Sequence, residues 1–197
     1  MYTTLGKHQM LLALKGTNPT TPITHVGLFD KDAAISTITG VASTDVCTKT
    51  AHGLSDGNLV VLSAISGGTG LKAGYPYFII TAAANTFQLS ETPGGSAHDF
   101  TTDVTAMTLE RLVEISGGSP AYARKAIAFN APVEGLMDDS TNGAVVDVPA
   151  STVDYVGLFS AVTAGTLLAI DDVTAELFAA QGTYSVTDAK LNLNQDV

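Results

Sequence analysis

Glycine and proline set the first limit on what this chain can become. Its 19 Gly and 7 Pro are spread through all 197 residues, and both are poor residues for a helix interior, so no long helical stretch survives uninterrupted. A helical bundle or coiled coil is excluded. The alternative is a fold of strands and turns. A chain of this length can bury about 70% of its unfolded surface, so it needs no covalent staple. The single cysteine, Cys47, offers no internal disulfide.

Hydrophobic residues make up 45% of the chain and charged residues only 14%, against roughly 25% charge in ordinary soluble domains. Thr, Ser, Asn and Gly must therefore finish the surface. Nine Lys+Arg against 19 Asp+Glu give a formal charge of -10, which repels phosphate backbones and anionic lipid heads, so nucleic acid is not an expected partner. Apolar runs such as Met10 to Leu14 and Tyr77 to Ile80 fall far short of the ~20 residues of a spanning helix. With no basic-then-apolar leader pattern, the chain reads as a soluble protein made in the cytosol, without membrane insertion.

One short helix is expected at the start. Thr3 or Thr4 can cap a segment to Leu14, with Leu5, Leu11, Leu12 and Leu14 on overlapping turns and Gly16 ending it. Packing on its own domain is the simpler role for Leu11, Leu12 and Leu14; docking on a partner is the alternative. From Ile23 the period changes to two, through Val26-Gly27-Leu28-Phe29 to a turn at Asp30-Lys31-Asp32. The same core returns at Val156-Gly157-Leu158-Phe159. Two copies are too few for a solenoid, and two core strands solved the same way is the simpler reading beside internal duplication.

Between the copies, residues 39–111 read as a self-contained insert. Short strands over 45–50, 59–62, 77–81, 86–89 and 106–112 are separated by turns such as Ser66-Gly67-Gly68-Thr69-Gly70 and Thr92-Pro93-Gly94-Gly95-Ser96, which suits a small barrel. Strands over 122–129, 144–148, 153–160, 166–170 and 182–193 then resume the main pattern. The expected fold is all-β: a β-sandwich from 1–38 and 112–197 with a short N-terminal helix, interrupted by an inserted small β-barrel.

Chemistry is sparse. His8, His25, His52 and His98 lie far apart and in no metal-ligand spacing. His25 reads as a packed or pairing strand residue, and His52, in a turn before Gly53, as a local backbone partner. No Gly-x-Ser-x-Gly elbow is present, and the glycine clusters miss every phosphate-loop spacing. Cys47 shares a strand face with Lys49, yet a lone cysteine is usually a small hydrophobe. Asp138, Ser140, Asn142 and Gly143 imitate the opening of a calcium loop, but its twelfth position is Pro149, so a polar hairpin is the stronger reading. Tyr75 and Tyr77, flanking Pro76, are either barrel rim and core or an exposed recognition surface for glycan. No catalytic residue, metal or cofactor is expected.

Larger segments carry a resemblance. Leu11 to Gly16 with Ile23 to Asp30, the central Ile115-Ser116-Gly117-Gly118-Ser119-Pro120-Ala121-Tyr122-Ala123-Arg124-Lys125, Phe129-Asn130-Ala131, Val146-Asp147-Val148-Pro149-Ala150, the 152–160 stretch and Gln181 to Ala189 resemble small virion proteins of tailed bacteriophages, usually called tail fibre or minor tail proteins. The insert has its own likeness. Thr50-Ala51-His52-Gly53-Leu54, Asp56-Gly57-Asn58, Gly74 to Ile79 and Asn85 to Ser90 resemble the small β-barrel related to the first catalytic-cysteine half-domain of ubiquitin-activating enzymes, which recurs in phage tail proteins. The likeness does not extend to an adenylation or thioester site. It implies a non-enzymatic structural protein located in the virion, a homo-oligomer whose partners are other virion proteins of tail or capsid. The alternatives are a capsid decoration protein on the outer shell and an adhesin binding a host-surface glycan through Tyr75 and Tyr77.

Overall fold

The computed structural model describes residues 22–130, 136–138, 143–187 and 190–192, with 136–138 and 190–192 described as backbone alone. Among the described residues there is no helix. In chain order the strands are β1 (His25–Lys31), β2 (Ile35–Val41), β3 (Val46–Thr48), β4 (Leu59–Gly67), β5 (Pro76–Ile80), β6 (Thr86–Ser90) and β7 (Val104–Glu114). There follow β8 (Lys125–Ala126), β9 (Leu136–Asp138), β10 (Ala144–Val148), β11 (Ser151–Phe159), β12 (Leu167–Phe178), β13 (Gly182–Val186) and β14 (Lys190–Asn192). The all-β expectation holds for these residues. The expected helix, with Leu11, Leu12 and Leu14, lies outside them.

The chain forms two compact units, one from Met1–Asp30 with Glu114–Val197 and the other from Lys31–Val113. The insert is thus wider than the 39–111 expected. The difference is β2: Ile38 is fully buried and sits opposite Met107 in the barrel wall. Its alternation is broken by register shifts and by Thr37 at φ 58, so the period-two signal is weak in this segment.

The insert is a closed barrel of six antiparallel strands. Its order is β2-β3-β6-β5-β4-β7, and β7 pairs with β2 to close the ring. Closure leaves no unpaired sheet edge. Inward alternation fills the interior with Ile38, Cys47, Leu62, Tyr77, Ile79, Phe87, Leu89, Met107 and Leu109, all essentially without exposure. The outer wall is hydroxylated. Thr39 lies opposite Thr48 and Thr48 opposite Thr86, a lateral row across β2, β3 and β6.

In the other unit β12, β11, β1 and β8 lie side by side, all antiparallel. β10 pairs with β13, and β9 with β14. Val26 and Leu158 share an apolar cluster with Ile127, Ala144 and Ala169, while Leu28 and Val153 share one with Ile115, Val146 and Val148. The strand expected over 122–129 shrinks to Lys125–Ala126, because Tyr122 and Arg124 turn to polar partners instead of continuing the ladder. The strand from 166 extends through Phe178, carried past Asp171-Asp172 by pairing with β11 across a register shift.

Candidate functional site

The two Val-Gly-Leu-Phe copies meet. β1 and β11 pair antiparallel with Gly27 opposite Gly157, Val26 opposite Leu158 and Leu28 opposite Val156, so the copies are related by a local twofold through the glycine pair. On one face the valines and leucines enter the two apolar clusters. The other face carries Phe29 and Phe159, two residues beyond each glycine, whose buried rings stack with centroids 5.9 Å apart. The glycines make this possible. A Cβ on Gly27 would lie 2.9 Å from Phe159 Cε2, and one on Gly157 would lie 2.6 Å from Phe29 Cε2.

A charged clamp closes over the same rings. The Arg124 guanidinium lies 3.4 Å from the Phe159 ring centroid, and it donates from Nε and Nη2 to the two oxygens of Glu114, each at 2.7 Å, and from Nη1 to the Ala161 carbonyl at 3.1 Å. A fork on a carboxylate combined with a cation over a ring is a geometry that only arginine supplies. The Tyr122 hydroxyl donates to Glu114 Oε1 at 3.1 Å and accepts from the Leu28 N–H at 2.8 Å. Burial pushes this phenol above its ordinary range, with the Leu28 N–H pulling the other way and Glu114 adding to the rise. The cluster ties Leu28 of β1 and Glu114 of β7 to the 122–124 segment.

The barrel contains the second cluster. Tyr75 and Tyr77 are 6% and 1% exposed, with ring centroids 5.1 Å apart. Both rings are buried within the barrel unit. Tyr77 also meets His98 edge-on at 5.3 Å and accepts the Lys72 N–H at 3.2 Å. Burial, with smaller contributions from Glu91 and Tyr75 and against the Lys72 bond, pushes its phenol up to about 12. His98 itself faces Glu91 Oε1 from Nδ1 at 3.0 Å and the Gly70 carbonyl from Nε2 at 3.1 Å.

The remaining sequence candidates are accounted for locally. His52 Nδ1 accepts the Leu54 N–H at 3.0 Å, and its ring meets Phe87 edge-on. Its buried Nε2 has no hydrogen-bond partner among the described residues. A shallow depression of about 590 Å³ lies over this turn, lined mainly by Ala51, Leu54, Asp56 and Ala82 to Ala84. His25 bonds Thr24 through Nδ1 and lies opposite Phe159. Cys47 is fully buried, and desolvation followed by the nearby Asp45 charge pushes its thiol up to about 12, which makes it a poor nucleophile at neutral pH. Ser140 and Asn142 of the calcium-like loop lie outside the described residues, as does the Asp138 side chain at the end of β9. Among the described residues no three His, Cys, Asp or Glu side chains come together as a metal site.

Sequence reasoning missed both polar clusters. Their partners are remote in the chain, 10 residues from Glu114 to Arg124 and 28 from Gly70 to His98, and the only available signal was that charged residues are scarce enough for each to matter. No protein-family model matches the chain, and no match to it was found among the curated proteins or the solved structures.

Proposed function

We propose that this chain is a non-enzymatic structural component of a tailed-bacteriophage virion, placed in the tail as a minor tail or fibre protein. The observation that supports the assembly role is the barrel: a closed ring with no free edge, walled outside by Thr39, Thr48 and Thr86. Short hydroxylated side chains on paired strands lose little rotamer entropy when another surface covers them, which favours a pre-ordered docking wall. The sequence likeness to tail fibre and minor tail proteins supports the tail over the shell. Within this reading, the β12-β11-β1-β8 sheet and the β10–β13 pair are the two faces of a β-sandwich, since Val26 and Leu158 share a cluster with Ala144, and Leu28 and Val153 share one with Val146 and Val148. Homo-oligomerisation and contact with other virion proteins belong to the same proposal.

The test is composition. Peptides of this chain should co-purify with gradient-purified phage particles at a constant ratio to the major virion proteins and resist removal by salt washing. Recovery of the chain only in the soluble fraction of the lysate would contradict the proposal. The glycan-adhesin alternative calls for Tyr75 and Tyr77 at the surface, and their burial in this structure does not support it. A capsid decoration role predicts the same co-purification and is separated from the tail by location on the particle.

A further inference from the structure

We propose that the depression beside His52 binds one neutral sugar unit, with the His52 Nε2–H donating to a ligand hydroxyl. The depression, about 590 Å³, lies between the loop that joins β3 to β4 and the loop that joins β5 to β6. His52 and Leu54 are the buried members of its lining and form its base. The Leu54 N–H donates to His52 Nδ1 at 3.0 Å. An imidazolium has no lone pair to offer there, and a neutral ring that accepts at Nδ1 carries its hydrogen on Nε2. That hydrogen lacks an acceptor: His52 is 7% exposed, and its Nε2 has no hydrogen-bond partner among the described residues. Such an orphan is rare in a folded protein, and an oxygen supplied by a ligand would satisfy it. The Phe87 ring, edge-on to the imidazole with centroids 5.1 Å apart, offers no more than a weak π acceptor.

The rest of the lining selects the ligand. Asp56 is its one acidic residue, and no Lys or Arg belongs to it. Asp56 Oδ1 accepts the Ala82 N–H at 2.7 Å, which leaves the second carboxylate oxygen for a ligand. Alanine methyl groups from Ala51 and Ala82 to Ala84 make short walls. An anion would meet a carboxylate with no cation to offset it. An ammonium group suits Asp56 but brings no acceptor for Nε2–H, and an apolar ligand would leave that hydrogen unpaired. A sugar meets all three demands: one hydroxyl accepts from Nε2–H, another donates to Asp56, and the C–H face of the ring covers the methyl groups.

The rim is formed in advance. The Ala51 N–H donates to Asn85 Oδ1 at 3.0 Å, the Lys49 N–H to the Asn85 carbonyl at 2.9 Å and the Gly57 N–H to the Ile79 carbonyl at 2.8 Å. These bonds tie the two loops to each other and to β5, so little ordering remains to be done on binding. The site stands apart from the virion reading, since it rests on the barrel's own residues.

The experiment uses the full chain. Glucose, galactose and N-acetylglucosamine, each raised to about 100 mM, are titrated against the backbone amides and the His52 ring ¹⁵N signals, with glucose 6-phosphate as the charged comparison. At least one neutral sugar is expected to move the His52 Nε2–H and the amides of Leu54, Asp56 and Ala82 to Ala84, with a Kd on the order of 1–10 mM for a single ring. The sugar phosphate is expected to bind roughly tenfold more weakly or worse. His52→Asn keeps an acceptor for the Leu54 N–H, as asparagine bonds the backbone two residues on, but brings no Nε2–H, and should weaken binding by roughly tenfold or more. Asp56→Asn keeps Oδ1 for Ala82, exchanges the second acceptor for a donor, and should weaken it likewise. Silence of these signals with all three sugars, an unmoved Nε2–H, or a sugar phosphate that binds as well as its parent overturns the proposal. So does a His52→Asn chain that binds like the wild type; should that variant fail to fold, wild-type affinity in Asp56→Asn overturns it instead.

Discussion

Replacing Gly157 by alanine tests whether the paired glycines exist to seat the two phenylalanines. The new Cβ would stand 2.6 Å from Phe29 Cε2, 2.8 Å from Leu167 Cδ1 and 3.2 Å from Phe159 Cε2. Two of these three are closer than real Cβ contacts come, and they involve buried side chains on three strands, so the rings cannot simply swing into solvent. Overpacking of this kind costs about 1–3 kcal/mol. Alanine returns roughly 0.5–1 kcal/mol through the restricted unfolded chain and better strand propensity. The net is a loss of about 1–2 kcal/mol, or roughly 2–8 °C in Tm for a chain of this size. Gly27→Ala should cost less, since its closest contact would be 2.9 Å against 2.6 Å at Gly157.

Because the chain has two compact units, the loss should be read locally, by hydrogen exchange in β1 and β11 alongside urea unfolding. Phe29→Leu then closes a double-mutant cycle. Removing Cε2 should cost about 1 kcal/mol less in the Gly157→Ala background than in the wild type, the coupling expected of groups in contact. A Gly157→Ala chain as stable as its parent, or strict additivity with Phe29→Leu, would refute the packing argument.

Three further outcomes follow from the same contacts. Arg124→Lys keeps the charge but loses the fork on Glu114 and the flat cation over Phe159, and should lower stability by about 1–2 kcal/mol in thermal unfolding; an unchanged Tm would show the clamp to be idle. Cys47, buried and with its thiol raised to about 12, should react with a thiol reagent at pH 8 about a hundredfold or more slower in native protein than in urea, and rapid native labelling would contradict the barrel interior assigned to it. Tyr77 holds its proton to about 12 when folded while the unfolded phenol releases it near 10. Its contribution to stability is therefore full below about pH 10 and lost as pH rises toward 12, on the order of 1–2 kcal/mol. Urea unfolding at pH 9 and 11.5 should show that decline, and Tyr77→Phe should reduce it.

How far the sequence reveals this molecule depends on the range of each interaction. Strand segments 59–62 and 77–80 were legible as short continuous apolar runs, buried at every position, and 86–89 as an alternation of half-buried and buried residues. The Val-Gly-Leu-Phe repeat was legible as a pattern, yet nothing local says that the two copies lie side by side with glycine facing glycine. β2 gives no legible period in the sequence, since its register shifts scramble the alternation. Residues 122–129 were over-read as a strand because Tyr122 and Arg124 look like strand residues until Glu114 and Leu28 are known to be beside them. His98 was invisible for the same reason: its meaning comes from Glu91 and Gly70 at its two nitrogens. Tyr75 and Tyr77 stood open between core and surface because aromatic residues beside a proline suit either place; both are buried here.

The proposal of a tail component is tested most directly by location. Gold-labelled antibody against the barrel, residues 31–113, should be imaged on intact phage particles by electron microscopy. Label confined to the tail or its tip is the predicted result. Label scattered over the head would contradict the tail assignment in favour of a shell decoration, and unlabelled particles would contradict a place on the virion surface.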